Sequence, residues 1–215
     1  MKSKGPKVPG CKIVLLGDSG VGKTCIISRY LRGCYDPNTT STNAASYGNK
    51  NVKFEKLGKN LLYDIWDTAG QEKYRALTKF FYKDASVAIL VYDITRQESF
   101  DNIVNYWYPQ LQENCVQNIV IGLVGNKADR FEDEAVSEND ARDFADKIGA
   151  VFELTSAQNN TGINEIFEDV GNKYLDPNFQ QQIKILEEEK MKETKTETIT
   201  LEQKNVKEKT KKGCC

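Results

Sequence analysis

Between residues 11 and 175, short apolar runs alternate with stretches of helical spacing. Residues 12–16, 61–66, 87–92, 119–124 and 151–154 read as strands. Near-continuous apolar runs among them are the mark of strands buried on both faces. A further strand near 51–56 is expected to pair with 61–66 through the turn at Gly58. Phe100, Ile103, Val104, Trp107 and Leu111 fall at i, i+3, i+4, i+7 and i+11, and Ile163, Ile166, Phe167, Val170 and Tyr174 repeat that spacing. Ala141, Phe144, Ala145 and Ile148 give a shorter version, and Ser137 with Asp140 has the spacing of a capping box opening that helix. The alternation predicts an α/β fold with helices on both faces of a mostly parallel sheet of six strands, one of them antiparallel.

Composition bounds what this core can be. The chain has 215 residues, which at roughly 150 residues per domain allows one domain and an appendage. From Asp176 onward it is charged and polar, with EEEK, KETKTET and KNVKEKTKK. Such a segment has too little apolar surface to offset its ordering entropy. Residues 176–215 are therefore expected to be a disordered tail, with a short helix near 178–192, and residues 1–10 a flexible N-terminus. That leaves 11–175 as the domain.

Lys and Arg total 30 against 31 Asp and Glu, a formal net charge of −1. The basic excess with which a nucleic-acid-binding domain neutralises phosphate is missing. No apolar stretch approaches the roughly 18 residues needed to cross a bilayer. The first ten residues hold no apolar core of a secretory signal, so a cytosolic chain is expected. Cys11, Cys25, Cys34, Cys115, Cys214 and Cys215 lack the spacing of a disulfide framework or a zinc site. Histidine is absent, which excludes imidazole general bases, Ser-His triads and His-ligated metals. Carboxylates, amides, hydroxyls, lysine or a bound ion must carry the chemistry.

The polar clusters fall at strand ends, where ligands bind in open α/β sheets. Gly17-Asp18-Ser19-Gly20-Val21-Gly22-Lys23-Thr24 follows the first strand, precedes a helix and fits the phosphate-binding pattern GxxxxGK[ST]. Its glycines let backbone N–H groups converge on phosphate oxygens at a helix N-terminus. Lys23 supplies a cation to the β- and γ-phosphates, and the Thr24 hydroxyl can ligate Mg²⁺. Asp67-Thr68-Ala69-Gly70-Gln71 follows another strand: Asp67 can hold the metal through water, and Gly70 admits a terminal phosphate. Asn126-Lys127-Ala128-Asp129 ends a third strand, and the Asp129 carboxylate can accept from both the ring N–H and the exocyclic amine of guanine, which adenine cannot match. Thr155-Ser156-Ala157 supplies a fourth wall. Asn126 and Asp129 argue against an ATPase or kinase.

GDSGVGKT, WDTAGQ, NKAD and TSA, in this order and spacing, resemble the Ras superfamily of small GTPases. IWDTAGQE (65–72), Tyr74 to Thr78, Phe81 to Ala85 and LVYDIT (90–95) resemble its Rab branch, and NIVIGLVGNKAD (118–129) with 42–47 the early-endosomal Rab subgroup. The resemblance implies a P-loop G domain and a GTP/GDP switch that hydrolyses GTP slowly until an activating protein accelerates it. Asp18 through Cys25 (Asp18, Ser19, Gly20, Val21, Gly22, Lys23, Thr24 and Cys25), with Tyr35, Thr42, Gly70, Asn126, Lys127, Asp129, Ser156 and Ala157, would contact the nucleotide. Thr24, Thr42 and Asp67 would hold Mg²⁺, and Gln71 would orient the attacking water.

Thr42 and Gly70 would order 36–48 and 68–80 around the γ-phosphate. Tyr47, Trp66 and Phe81 match the family's partner-facing aromatics. No arginine is assignable as a finger in cis. The resemblance also implies that the terminal Cys214-Cys215 pair carries two geranylgeranyl chains, and the physics favours a pair, since one lipid gives marginal anchoring and two give stable anchoring. Implied partners are effectors, an exchange factor, an activating protein, a GDP-dissociation inhibitor and a prenylation escort, but no nucleic acid. The protein would be a monomer, cytosolic and peripheral on the cytoplasmic face of endomembranes such as endosomes. Asn43-Ala44, Gln158 and a hairpin about two residues longer depart from the family pattern.

Overall fold

The computed structural model describes residues 8–39, 46–68, 84–115 and 118–185. Among them, six strands form one sheet in the order β2-β3-β1-β4-β5-β6. These are β1 (Gly10–Leu16), β2 (Ser46–Phe54), β3 (Lys59–Asp67), β4 (Val87–Asp93), β5 (Val120–Asn126) and β6 (Val151–Thr155). Only β2 runs antiparallel to its neighbour, pairing Ser46 with Asp67 through Phe54 with Lys59; every other pairing is parallel. All seven residues of β4 are buried, as a central strand covered on both faces requires.

The helices are α1 (Lys23–Arg32), α2 (Gln97–Asn102, Ile103–Trp107 and Tyr108–Asn114), α3 (Glu138–Ile148) and α4 (Ile163–Leu175). One face of the sheet packs Val14, Leu16, Ala88, Leu90 and Tyr92 against Phe100, Ile103, Trp107 and Leu111 of α2 and Ala141 and Ala145 of α3. On the other face, α1 and α4 meet through Tyr30 stacked on Phe167 at 3.8 Å. Tyr63 Oη donates to the Phe167 carbonyl there, 2.8 Å away.

Three local expectations differ from the structure. The strand expected near 51–56 runs from Ser46 to Phe54, and Glu55–Leu57 turns as a 3-10 helix, because the polar residues of this edge strand carry no apolar run to mark its start. The apolar stripe from Phe100 to Leu111 predicts one regular helix, but Ile103–Trp107 forms a π-turn in its middle. Such wide turns recur at functional sites, and this one carries a side chain that reaches the phosphate loop. Ser137 does occupy the N-cap of α3, yet its side chain makes no capping hydrogen bond. Position was legible there; the capping-box bond does not form.

The chain divides into two units, Met1–Tyr174 and Leu175–Cys215. In the second, residues 177–185 are helical, and the Asp176 carboxylate caps them by accepting from the Asn178 and Phe179 N–H groups at 2.8 and 3.2 Å. The expected helix near 178–192 is thus described as far as residue 185. Among the described residues, no helix is long and apolar enough to cross a membrane.

Candidate functional site

The five parallel strands present their carboxyl ends along one edge of the sheet, where an open cavity of about 300 Å³ lies. Gly20, Gly22, Cys25, Tyr35, Asn126, Lys127, Asp129 and Ala157 line it, together with Asp36, Thr39 and Gln158. Residues from three separate motifs of the sequence, the glycine-rich turn, Asn126 to Asp129 and Thr155 to Ala157, are thereby brought to one place. A larger hollow of about 490 Å³ sits between β2 and α4, lined by Tyr30, Lys50, Lys53, Glu168 and others. It contains none of the glycine-rich turn, so size alone does not mark the site.

Chain geometry builds the phosphate side. Gly17 takes φ 141° with its Cα against the Val91 carbonyl, so closely that a Cβ would overlap it. Gly22 takes φ 98°, and a Cβ there would strike the Asn126 amide. These two positions tolerate only glycine. Lys23 opens α1 and is buried, its Nζ donating to the carbonyls of Gly17 at 2.7 Å and Asp18 at 2.8 Å. Burial pulls its pKa down to about 8, against the opposing charges of Asp67 and Asp18 and with the added repulsion of Arg96. A buried ammonium hydrogen-bonded, among the described residues, to two neutral carbonyls is poised for an anion.

Thr24 Oγ1 donates to Asp67 Oδ2 at 2.7 Å across 43 residues of chain. A hydroxyl and a buried carboxylate side by side are the hard oxygen donors that Mg²⁺ takes. Among the described residues no group of three His, Cys, Asp or Glu could hold a metal ion. In nucleotide sites Mg²⁺ takes one or two protein oxygens together with phosphate oxygens, which is the share that Thr24 and Asp67 can supply. Asp67 lies at the end of β3 beside Thr68, whose Oγ1 donates to the Leu15 carbonyl at 2.6 Å.

The base side is assembled from β5 and the turn after β6. Asn126 ties the two sides together: Nδ2 donates to the Val21 carbonyl at 2.8 Å, and Oδ1 accepts from Thr155 Oγ1 at 3.1 Å. Lys127 adopts a left-handed φ of 67° and pairs with Asp93 at 2.6 Å. Burial would raise the Asp93 pKa, but hydrogen bonds from Lys127 and Thr95 hold it below the ordinary value. Asp129 points one carboxylate oxygen at Ser156, whose Oγ donates at 2.5 Å. Ser156 Oγ accepts from the Asn159 N–H at 3.0 Å, so the hydroxyl that orients Asp129 is itself fixed. Cys25 is half-buried on the cavity wall; burial raises its pKa, partly offset by its hydrogen bond with Thr39.

Four residues that the sequence reading did not single out hold this site together. Arg29 of α1 donates to the carbonyls of Ala157 at 2.8 Å, Gln158 at 3.0 Å and Gly33 at 2.7 Å, and its guanidinium lies 5.9 Å from the Tyr35 ring centre. Asn102 and Trp107 of α2 both donate to the Asp18 carboxylate, at 2.7 and 2.9 Å. That carboxylate thus faces the helix, and Asp18 serves the lysine through its backbone carbonyl. Arg96, after β4, donates to the Ser19 carbonyl at 3.0 Å. The signals were present: Arg29 lies four residues after Cys25, one helical turn along the same face, and Arg96 follows the one parallel strand end that the motif reading left unused.

Away from the cavity, Tyr47 on β2 and Trp66 on β3 lie side by side, ring centres 5.2 Å apart and tilted by 57°. Tyr47 is 52% exposed, and its Oη donates to Asp64 at 2.5 Å, a bond that raises its pKa. Lys12 Nζ sits 5.5 Å from the Trp66 ring centre. Of the residues expected in the site or on this surface, Thr42, Gly70, Gln71 and Phe81 lie outside the described residues, as do the terminal Cys214 and Cys215.

Residues 12–176 match the Ras family profile. The chain is 43% identical over 162 residues to human Ras-related protein Rab-22A, covering 75% of this chain and 82% of that protein. It is 43% identical over 159 residues to rice Ras-related protein RGP2 (74% and 72%), and 41% identical over 164 residues to Ras-related protein RabJ of Dictyostelium discoideum (76% and 63%). With the sheet order, the strand-end cavity and this degree of identity in agreement, the chain belongs to the Ras family and is a small GTPase that binds and hydrolyses GTP.

Proposed function

We propose that this GTPase is a Rab-type switch that cycles between GTP and GDP and recruits effectors to endomembranes in vesicle transport, with the early endocytic pathway as the favoured setting. The observation that carries the reading is the meeting of a phosphate loop and a guanine-accepting carboxylate, Asp129, around one cavity. Rab-named relatives and the exposed Tyr47–Trp66 pair favour the Rab branch. In this reading Lys23 and the loop amides bind the phosphates, Asp129 accepts the two guanine donors, and Tyr35 packs against the base. Thr24, Asp67 and Thr42 would hold Mg²⁺, which when bound neutralises charge on the β- and γ-phosphates.

Gln71 orients the attacking water. Thr42 and Gly70 bind the γ-phosphate, and their release after hydrolysis is the switch. Tyr47, Trp66 and Phe81 face the effector. Cys214 and Cys215 carry the two lipids, and Lys207, Lys209, Lys211 and Lys212 add attraction to anionic headgroups. An exchange factor, an activating protein, a GDP-dissociation inhibitor and a prenylation escort complete the cycle.

Fractionation of cells expressing tagged full-length chain, paired with single-turnover hydrolysis on the purified protein, tests the whole reading. Gln71→Leu should hydrolyse GTP more slowly with activating protein and stay on membranes, whereas Thr24→Asn and a chain lacking the last two residues should be cytosolic. Equal membrane retention without the cysteines, or wild-type hydrolysis by Gln71→Leu, would refute it.

A further inference from the structure

The outer turn of the phosphate loop is held by a side chain with no place in the mechanism above. Arg96 stands where the backbone leaves β4 for α2, and its own peptide groups are pinned. Its N–H donates to the Asp93 carbonyl at 3.0 Å, and its carbonyl accepts from Ser99 N–H at 3.0 Å and Ser99 Oγ at 2.7 Å. From that base the guanidinium reaches the loop, where Nη2 donates to the Ser19 carbonyl at 3.0 Å. Nη1 comes within 3.9 Å of where a Cβ on Gly20 would stand. Nε is buried and makes no hydrogen bond among the described residues, and the charge is close enough to Lys23 for the two cations to repel.

Peptide planarity turns this contact into an aim. The Ser19 carbonyl and the Gly20 N–H belong to one trans peptide, in which C=O and N–H point in opposite directions. A guanidinium that holds the carbonyl therefore sends the Gly20 N–H the other way, and Gly20 lines the cavity. Gly20 has φ 79° and no side chain, so sterics alone do little to stop this peptide from turning over. A cation on the carbonyl also polarises the peptide and strengthens its N–H as a donor.

We propose that Arg96 is a positioning residue for phosphate recognition: by holding the Ser19 carbonyl it aims and polarises the Gly20 amide toward the nucleotide phosphates, and so slows nucleotide loss. The inference rests on the cavity being a guanine-nucleotide site and deepens that reading by assigning part of phosphate retention to a residue outside the loop.

The test compares wild type, Arg96→Met and Arg96→Lys as Mg²⁺-loaded full-length protein. Release of a fluorescent GDP analogue is followed in a chase, and GDP and guanosine affinities are measured by competition. Methionine matches arginine in reach but donates nothing; lysine keeps a cationic donor. Arg96→Met should release GDP about tenfold faster while guanosine affinity stays within about twofold, because only the phosphates lose a charge-assisted, preorganised donor. Arg96→Lys should recover most of the loss. Unchanged release in Arg96→Met, an equal loss for GDP and guanosine, or an Arg96→Lys protein as leaky as Arg96→Met overturns the assignment. Wild-type protein that holds GDP no better than guanosine overturns the nucleotide-site reading itself, and the variants cannot mimic that result.

Discussion

Trp107 links the core to the phosphate loop, and removing its N–H is the most direct test of how that loop is held. The indole is fully buried, and its Nε1 donates to Asp18 Oδ1 at 2.9 Å while Asn102 Nδ2 donates to Oδ2 at 2.7 Å. Trp107→Phe keeps an aromatic ring in the core, deletes the donor and leaves the space of the second ring empty. A hydrogen bond to a charged group contributes about 1.5–3 kcal/mol, and the void adds about 1 kcal/mol. The expected loss is therefore about 3 kcal/mol.

Asp18→Ala separates the two contributions. In its background there is no carboxylate to satisfy, so Trp107→Phe should cost only the void, about 1 kcal/mol. The double-mutant cycle then has a coupling of about 2 kcal/mol. Urea unfolding at fixed excess GDP is the assay, with each variant's measured GDP affinity used to remove the mass-action contribution of the ligand. A coupling below about 0.5 kcal/mol would refute the reasoning, since it is what independent sites give.

Lys23 predicts a proton-linked affinity. Its pKa of about 8 in the nucleotide-free protein means that it begins to lose its proton there, whereas a bound phosphate favours the ammonium. The complex then holds more protons than its parts, so GDP affinity falls as pH rises, by about fourfold between about pH 7 and 8.5, with uptake of about half a proton near pH 8. Calorimetry in buffers of different ionisation enthalpy measures the uptake, and zero uptake at that pH would contradict the lysine's buried state. Asp129→Asn replaces an acceptor with a group that presents a donor to guanine's own donors. It should cost about 3 kcal/mol in GDP affinity, roughly a hundredfold, and favour a base with a carbonyl in place of the amine; competition between guanosine and xanthosine diphosphates reads both.

The fold was legible wherever its cause was local. β4 is apolar throughout because both its faces are covered, and a run such as Val87 to Tyr92 announces that without reference to anything distant. The phosphate loop was legible for the same reason: its glycines, Lys23 and Thr24 are contiguous, since one turn of backbone forms the whole cradle. Asp129 and Ser156 were found as separate motifs, and the parallel sheet brings them to hydrogen-bonding distance because β5 and β6 are adjacent and end together.

The rest depended on partners far apart in the chain. Ile103 and Trp107 satisfy a regular helical stripe, so the pattern could not announce the π-turn that places the indole against Asp18, 89 residues away. Arg96 reaches Ser19 across 77 residues, and Arg29 reaches Ala157 across 128. An arginine on a helix or in a turn looks the same in sequence whether it faces water or a carbonyl. Hydrophobic spacing and glycine content determined by themselves where the buried strands, the helices and the phosphate loop lie, because backbone sterics and burial act over a few residues, whereas the exposed edge strand β2 was placed by its pairing with β3. Which long polar side chains brace that loop was decided only when the sheet closed, since a hydrogen bond specifies its partner through position in space.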